Sequence, residues 1–521
     1  MTRRPHQEPK VPRVFLVIAA VIAAALVAAP FSVLPADPAV AAPSSQTFRV
    51  DCSSNSSGNG ISRPFRSLAA VNRHGAFSPG DRVLIRRGTT CRGRLEPQGS
   101  GSTKHPIILG AYGRGSKPRL DGGGTRTGTA TIVLKDVHDW VVQDLHVTNR
   151  NKASQTGIWR SGVLLLNSGV GTLPGMVIQR LRVDNVVSNL QSYKTDSREY
   201  GGIVVKTWGS ARGGYDGLRI LRNVVVGVGR TGIIVANHSQ PQGWDDRVRI
   251  AYNTVRKAKG DSIILRGARD GRIDHNLSAG GADFWPCDRC GGVSPDTANA
   301  AIWPAESLRV RVDHNEVYGT HKYGGDGVGI DVDQSAVQTV VEYNYVHDNE
   351  GGGILFCGSR TATARFNILE NNERGAFVFI GAIPAYNSKI YNNTVYTAVG
   401  TQARVVYLQG RKGGRGLKFF NNLIYNMDDS GYYVWPTTPK TRTNTYIGVH
   451  GIGEPAETGK GWNDPGLRNP GSGNKGFKSL NGYKPVSPED DPKGSPIPKS
   501  VKNDFFGKKI DPRRPPRGAA G

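Results

Sequence analysis

The stretch GIDVDQSAVQTVVEYNYVHDNEGGGILFCG, Gly329 to Gly358, holds one complete period of a repeat. It opens with GIDVDQ (329–334) and closes with GILFCG (353–358), two copies of a single six-residue pattern. The second and fourth positions are apolar in both: Ile330 and Val332, then Ile354 and Phe356. Strand side chains alternate faces, so these positions point one way and the third and fifth point the other. In the first copy the outward pair is Asp331 and Asp333. Between the copies lies TVVEYNYV (339–346), in which Asn344 follows an apolar residue three positions earlier.

Working outward, the first pattern recurs as GVLLLN (162–167), GIVVKT (202–207), GIIVAN (232–237), SIILRG (262–267) and AIWPAE (301–306). Beyond Gly358 it continues as AFVFIG (376–381), VVYLQG (405–410) and YYVWPT (432–437). The asparagine series runs Asn223, Asn253, Asn276, Asn315, Asn344, Asn367, Asn393 and Asn422, in phase with the first. A stacked asparagine column satisfies its amides through hydrogen bonds worth roughly 1 kcal/mol each. Helical periodicity is nearly absent. The period suits one coil of three short strands, with insertions tolerated at the turns, which predicts a parallel β-solenoid of about ten coils.

The chain has 521 residues, of which 37% are hydrophobic and 21% charged, enough to bury a large core. Its net charge of +25 favours a polyanionic partner without choosing among nucleic acid, anionic lipid and acidic polysaccharide. The N-terminus narrows this choice. Arg3, Arg4, Lys10 and Arg13 precede the apolar run Val14 to Ala29, and PADPAVAAP follows. That is the pattern of a secretory signal with cleavage after Ala41 or Ala42. Export makes an extracellular polymer the expected partner, with no nucleic acid and no membrane span once the signal is removed. The expected location is extracellular, with retention at the cell surface as a variant, and the expected state is monomeric. Cysteines fit an oxidising compartment. Cys52 and Cys91 flank the first folded segment and are candidates to pair. Cys287 and Cys290 form CDRC, read as a local disulfide because structural zinc wants four ligands. Cys357 is left over.

The strand series and the asparagine column resemble the right-handed parallel β-helix superfamily, the pectate-lyase-like fold, over roughly residues 47–440. The opening DCSSNSSGNGISRPFRSLAAVN and the close NDFFGKKIDPRRPPRGAAG (503–521) are similar to the termini of its secreted bacterial members. The resemblance implies an all-β, three-sheet solenoid with the asparagines in the turn between the second and third sheets. It also implies a substrate cleft on the glycine-led first sheet. The expected organisation is a signal over 1–42, an N-terminal cap and first coils over 43–125, and the β-helix over 126–440. A C-terminal cap with an irregular, basic Pro/Gly-rich tail follows over 441–521. The fold hosts lyases, hydrolases, epimerases and non-catalytic fibres, so it names no activity. Neither the polygalacturonase-like Asn-Thr-Asp strand nor the pectate-lyase arginine motifs occur in the sequence.

Asp331 is the lone charge in its outward column, between Trp303 and Leu355 in the adjoining coils. Lost hydration there raises a carboxyl pKa, which suits a general acid. Asp333, two residues on, is the less perturbed partner, and His347 in YVHDNE is a reserve base. The same carboxylates with Asp326 offer three oxygen donors to a calcium ion. Trp303 and Tyr407 offer flat faces to sugar rings, and Lys206 and Arg266 offer charge to an acidic chain. On the second sheet Asp274, Asp313 and Glu342 share an outward slot, with His275, His314 and Tyr343 next to them, read as a solvated, partly paired ladder. The functional expectation is a secreted polysaccharide-active enzyme, either a β-eliminating lyase on a uronate polymer or a glycoside hydrolase. The alternative is a non-catalytic polysaccharide-binding solenoid.

Overall fold

The structure is a computed structural model. It describes residues 45–521 apart from 57, 125–128, 151–158, 189–197, 209–211, 241, 284–297, 323–324, 402, 430–431 and 487–492. The signal segment and the CDRC cysteines lie outside the described residues.

Parallel strands of two to eight residues wind into coils, each coil pairing with the next. Among the described residues, to which these counts refer, the first sheet has ten strands, from Thr129–Lys135 to Val406–Gln409. The second has fourteen, from Thr47–Val50 to Lys440–Arg442, and the third thirteen, from Thr90–Arg92 to Thr445–Gly448. A fourth, four-stranded sheet spans Thr172–Pro174 to Ala268–Arg269 at the corner between the first two.

The register of the first sheet follows the apolar columns of the sequence. Val163, Ile203, Ile233, Ile263, Ile302, Ile330, Ile354, Phe377 and Val406 pair in succession. All are fully buried in one continuous core. A buried side chain of this size stabilises by about 1.5–3 kcal/mol. A one-residue slip would put the aspartates of GIDVDQ inside, so the column also fixes the register.

The asparagine column occupies the turn between the second and third sheets. Each side-chain Nδ2 donates to the Oδ1 of the next asparagine at 2.9–3.0 Å, and the backbone N–H donates to the same oxygen. Nδ2 also reaches a main-chain carbonyl, as Asn344 does to Val312 at 2.9 Å. The ladder extends one step beyond the sequence reading, from Asn422 to Asn444 at 3.0 Å. Asn344→Ala orphans buried donors and an acceptor on the neighbouring rungs, so it is expected to lower stability by about 1–3 kcal/mol, read from urea unfolding. The residue before each ladder asparagine sits in the left-handed region: Tyr252, His275, His314 and Tyr343 have φ of 54–58°. This breaks the strand alternation, and the rings of Tyr252, His275 and His314 stack outside the turn, with Tyr343 tilted 31° against His314.

Both ends are tied to the solenoid. At the N-terminus the first strands already belong to the second and third sheets, and the helix Leu68–Asn72 starts with the Ser67 hydroxyl accepting from the Ala70 N–H. Cys52 and Cys91 form a disulfide with Cα atoms 5.3 Å apart. At the C-terminus the chain is irregular and docked on the coils. Gly518 N–H donates to the Asn421 carbonyl at 2.8 Å, Asn392 donates to the Pro516 carbonyl at 2.6 Å, and Ala519 is fully buried. Leu480, Tyr483 and Phe505 pack over Tyr345 and Ile368, sealing the outer face of the third sheet.

Candidate functional site

Strand Val328–Val332 carries the site because its inner residues are locked. Ile330 and Val332 are fully buried in the core, so Asp331 faces out, in register with Leu355, Val378 and Tyr407. Asp331 is not solvated there: only 5% of its surface is exposed, and its Oδ1 has no hydrogen-bond partner. Burial pushes its carboxyl well above the ordinary range, and the charges of Asp333 and Asp326 push it further.

Asp333 is partly exposed. Burial raises its pKa too, but groups that favour its charged form surround it. The Gln334 N–H donates to Oδ1 at 2.7 Å, and Arg198 and the Cys357 thiol also act on the carboxylate. Burial raises that thiol out of its ordinary range, so it is a donor and not a nucleophile here. Asp326, at the turn entering the strand, is raised to about 6, by burial first and then by Asp333. The turn is tight. Gly327 (φ 68°) donates to the Asn299 carbonyl at 2.8 Å, and Gly351 N–H donates to Gly327 at 2.8 Å. A Cβ on Gly351 would stand 1.7 Å from the Asp326 carbonyl oxygen, so only glycine lets the next coil close against this turn.

A cationic bed lies on the N-terminal side of the carboxylates, and sequence reasoning missed it. Asp261, fully buried, takes Arg230 at 2.8 Å and accepts from Trp303 Nε1 and the Ala300 N–H, each at 3.1 Å. Burial lowers the Arg230 pKa to about 10 despite this pairing, and its guanidinium also donates to Asn299 at 2.8 Å. Arg198 lies 5.0 Å over the Trp303 ring and donates to the Ala298 carbonyl at 2.9 Å. Its charge partly offsets the upward shift of all three aspartates.

Several sequence-predicted positions have other roles. Trp303 is buried, with Arg198 over its ring, so it is a wall rather than an open stacking platform. Lys206 is buried against Tyr200 and ion-paired with Glu199 at 3.1 Å, and Arg266 is held by both oxygens of Glu306 at 2.9 Å. Their charges are therefore already compensated. Tyr407 lies on the outward face three rungs from Asp331, partly exposed. His347 is not beside the carboxylates: it belongs to the third-sheet strand Tyr345–His347, stacked 4.0 Å from Tyr345 beneath the C-terminal segment. Asp274, Asp313 and Glu342 are fully buried rather than solvated, bridged by Arg249, Arg272, Arg311 and Arg365. Among the described residues no group of three or more His, Cys, Asp or Glu side chains is arranged to hold a metal ion. The Asp326, Asp331 and Asp333 trio expected to bind calcium is therefore not such a cluster.

Residues 201–395 match the family described as Right handed beta helix region. The chain is a right-handed parallel β-helix. This β-helix is 24% identical over 459 residues to a lacto-N-biosidase of Bifidobacterium longum subsp. longum, covering 71% of the chain and 28% of that protein. The chain thus spans under a third of that relative's length. Among solved structures, the lacto-N-biosidase of family GH136 from Eubacterium ramulus aligns with a TM-score of 0.57 and 22% identity, over 76% of this chain and 68% of that one. XylC in complex with xylose aligns with a TM-score of 0.52 and 11% identity, over 91% and 98%. These structural likenesses concern the fold.

Proposed function

We propose that the protein is an exported glycoside hydrolase acting on an oligosaccharide through Asp326 and Asp333. The observation that carries this reading is two partly exposed carboxyls, each near a third, buried one, of which Asp333 alone accepts hydrogen bonds on its carboxylate among the described residues. Among the described residues no hydrogen bond favours the charged form of Asp326, and its pKa is raised to about 6, so it is the proton donor to the leaving oxygen. Asp333 has the Gln334 N–H, the Cys357 thiol and Arg198 favouring its anion, so it is the group that attacks the anomeric carbon or activates water. Asp331 remains protonated beneath them and keeps the pocket from accumulating a third negative charge. The similarity to lacto-N-biosidases supports hydrolysis over elimination. So does the pairing of Lys206 and Arg266, the cations that would otherwise neutralise a uronate beside the base. The Cys52–Cys91 disulfide supports an oxidising, extracellular location.

No step in this scheme runs through a metal ion. Because the acid must hold its proton, kcat/KM is expected to fall as pH rises through about 6, the raised value of Asp326. Asp326→Asn is expected to abolish that alkaline limb along with most of the rate. The test is a panel of neutral and acidic oligosaccharides, assayed for reducing ends with the wild type and with Asp333→Asn. Binding without cleavage across the panel would instead favour a non-catalytic solenoid.

A further inference from the structure

The cations on the outer face of the first sheet are compensated on one side of the carboxylates and uncompensated on the other. On the N-terminal side Arg230 has Asp261, Lys206 has Glu199 and Arg266 has Glu306. On the C-terminal side Arg374 and Arg404 each lie 4.9 Å over the Tyr407 ring. Among the described residues neither guanidinium is within ion-pair distance of a carboxylate, and Arg374 reaches only Gln409 Oε1, at 3.4 Å. All three residues are partly exposed.

The two arginines belong to one rim. Gly351 N–H donates to Gly327, Gly353 N–H to Gly375 and Ala376 N–H to Arg404, so the turns of Asp326, Glu350, Arg374 and Arg404 succeed one another coil by coil. Two rungs separate Asp326 from Arg374, roughly 10 Å, and three separate Asp331 from Tyr407, roughly 14 Å. That is the reach of a sugar or two along a bound chain and too far for the scissile ring itself.

Resting on the hydrolase reading above, we propose that Arg374, Arg404 and Tyr407 form a subsite for a carboxylated sugar on the C-terminal side of the cleaved bond. Two guanidinium forks match a planar carboxylate better than any single ammonium does. Both rest on the Tyr407 ring, which holds them in place, so little side-chain freedom is lost on binding. Arg374 is also close enough to lower the Asp326 carboxyl, which ties the subsite to the acid electrostatically. An acidic substrate therefore owes its recognition to this pair and not to Lys206 or Arg266.

The test is calorimetric binding to the full chain carrying Asp333→Asn, which removes turnover from the measurement. Probes are a galacturonate tetramer, a galactose tetramer and a sulfated galactose tetramer. The galacturonate tetramer is expected to bind about ten-fold or more tightly than the galactose tetramer, equivalent to ~1.4 kcal/mol. Arg374→Gln with Arg404→Gln is expected to erase that difference. Lys418→Gln with Lys440→Gln, exposed on the second sheet, is expected to leave it intact. Equal affinity for the two tetramers overturns the proposal. So does a preference that survives loss of both arginines, or tight binding of the sulfated tetramer alone. Were Asp333 wrongly assigned, the tetramer would be cleaved during the titration and new reducing ends would show it, so failure of the hydrolase assignment is distinguishable from failure of this proposal.

Discussion

Asp326→Asn and Asp333→Asn are each expected to lower oligosaccharide hydrolysis by about 10²–10⁴-fold with the fold intact. The two losses should not add when combined, because a proton donor without its partner carboxylate has little left to do. Asp331→Asn separates the chemistry from the burial. The folded-state pKa of Asp331 lies well above its ordinary 3.8, so folding takes up a proton at any pH between the two values. Its contribution to stability is fully present below 3.8 and is lost as pH rises through the folded value. At neutral pH an uncharged isostere removes that loss, so Asp331→Asn is expected to raise Tm there and to leave it nearly unchanged near pH 3.8. Activity should be largely kept, because the amide is as uncharged as the protonated carboxyl it replaces. Thermal unfolding at the two pH values checks the sign. A variant that is destabilised at neutral pH would show that Asp331 is charged and paired in the folded protein.

Arg230→Met is the substitution with the largest expected effect on stability. It removes the closer of the two cations paired with buried Asp261, at a cost of about 3–5 kcal/mol. Arg198 stands 3.8 Å from Asp261 and takes up only part of that charge. Asp261 also holds the Trp303 indole and the Ala300 N–H, so the loss should extend to the wall of the site as raised KM. Adding Asp261→Asn removes the orphaned charge while keeping an acceptor for both donors, and is expected to restore most of the stability. Urea unfolding of the two singles and the double measures the coupling. Near-additive losses would mean that the pair does not interact as the geometry implies.

The solenoid was readable from the sequence because its determinants are columnar. Ile330, Val332 and their counterparts recur at fixed positions, and each ladder asparagine follows an apolar residue three places earlier. Asn444 escaped that rule because Thr441 stands where the apolar residue should be. A second short ladder, Asn349 to Asn372 at 2.9 Å, was missed although Val346 and Leu369 stand three places before its asparagines. At the site, alternation alone placed Asp331 and Asp333 on the outer face, and the desolvation of Asp331 beside Trp303 followed from the column. Asp326 was read only as a metal donor because it precedes the strand, where alternation says nothing. Arg198, Arg230 and Asp261 act across large separations: Arg198 reaches Ala298 and Arg230 reaches Asn299. The available signal was position, since Arg230, Asp261 and Asp326 all stand just ahead of their strand copies. His347 was misplaced because the turn after it leads toward the first sheet while its own strand lies in the third.

The most direct test of the central claim is the product chemistry of wild type and Asp333→Asn on one cleaved oligosaccharide. Reducing ends and the ultraviolet absorbance of unsaturated uronates are recorded together. Hydrolysis through Asp326 and Asp333 predicts new reducing ends without new absorbance, and loss of nearly all of them in Asp333→Asn. Unsaturated products from the wild type, or undiminished cleavage by Asp333→Asn, would contradict it.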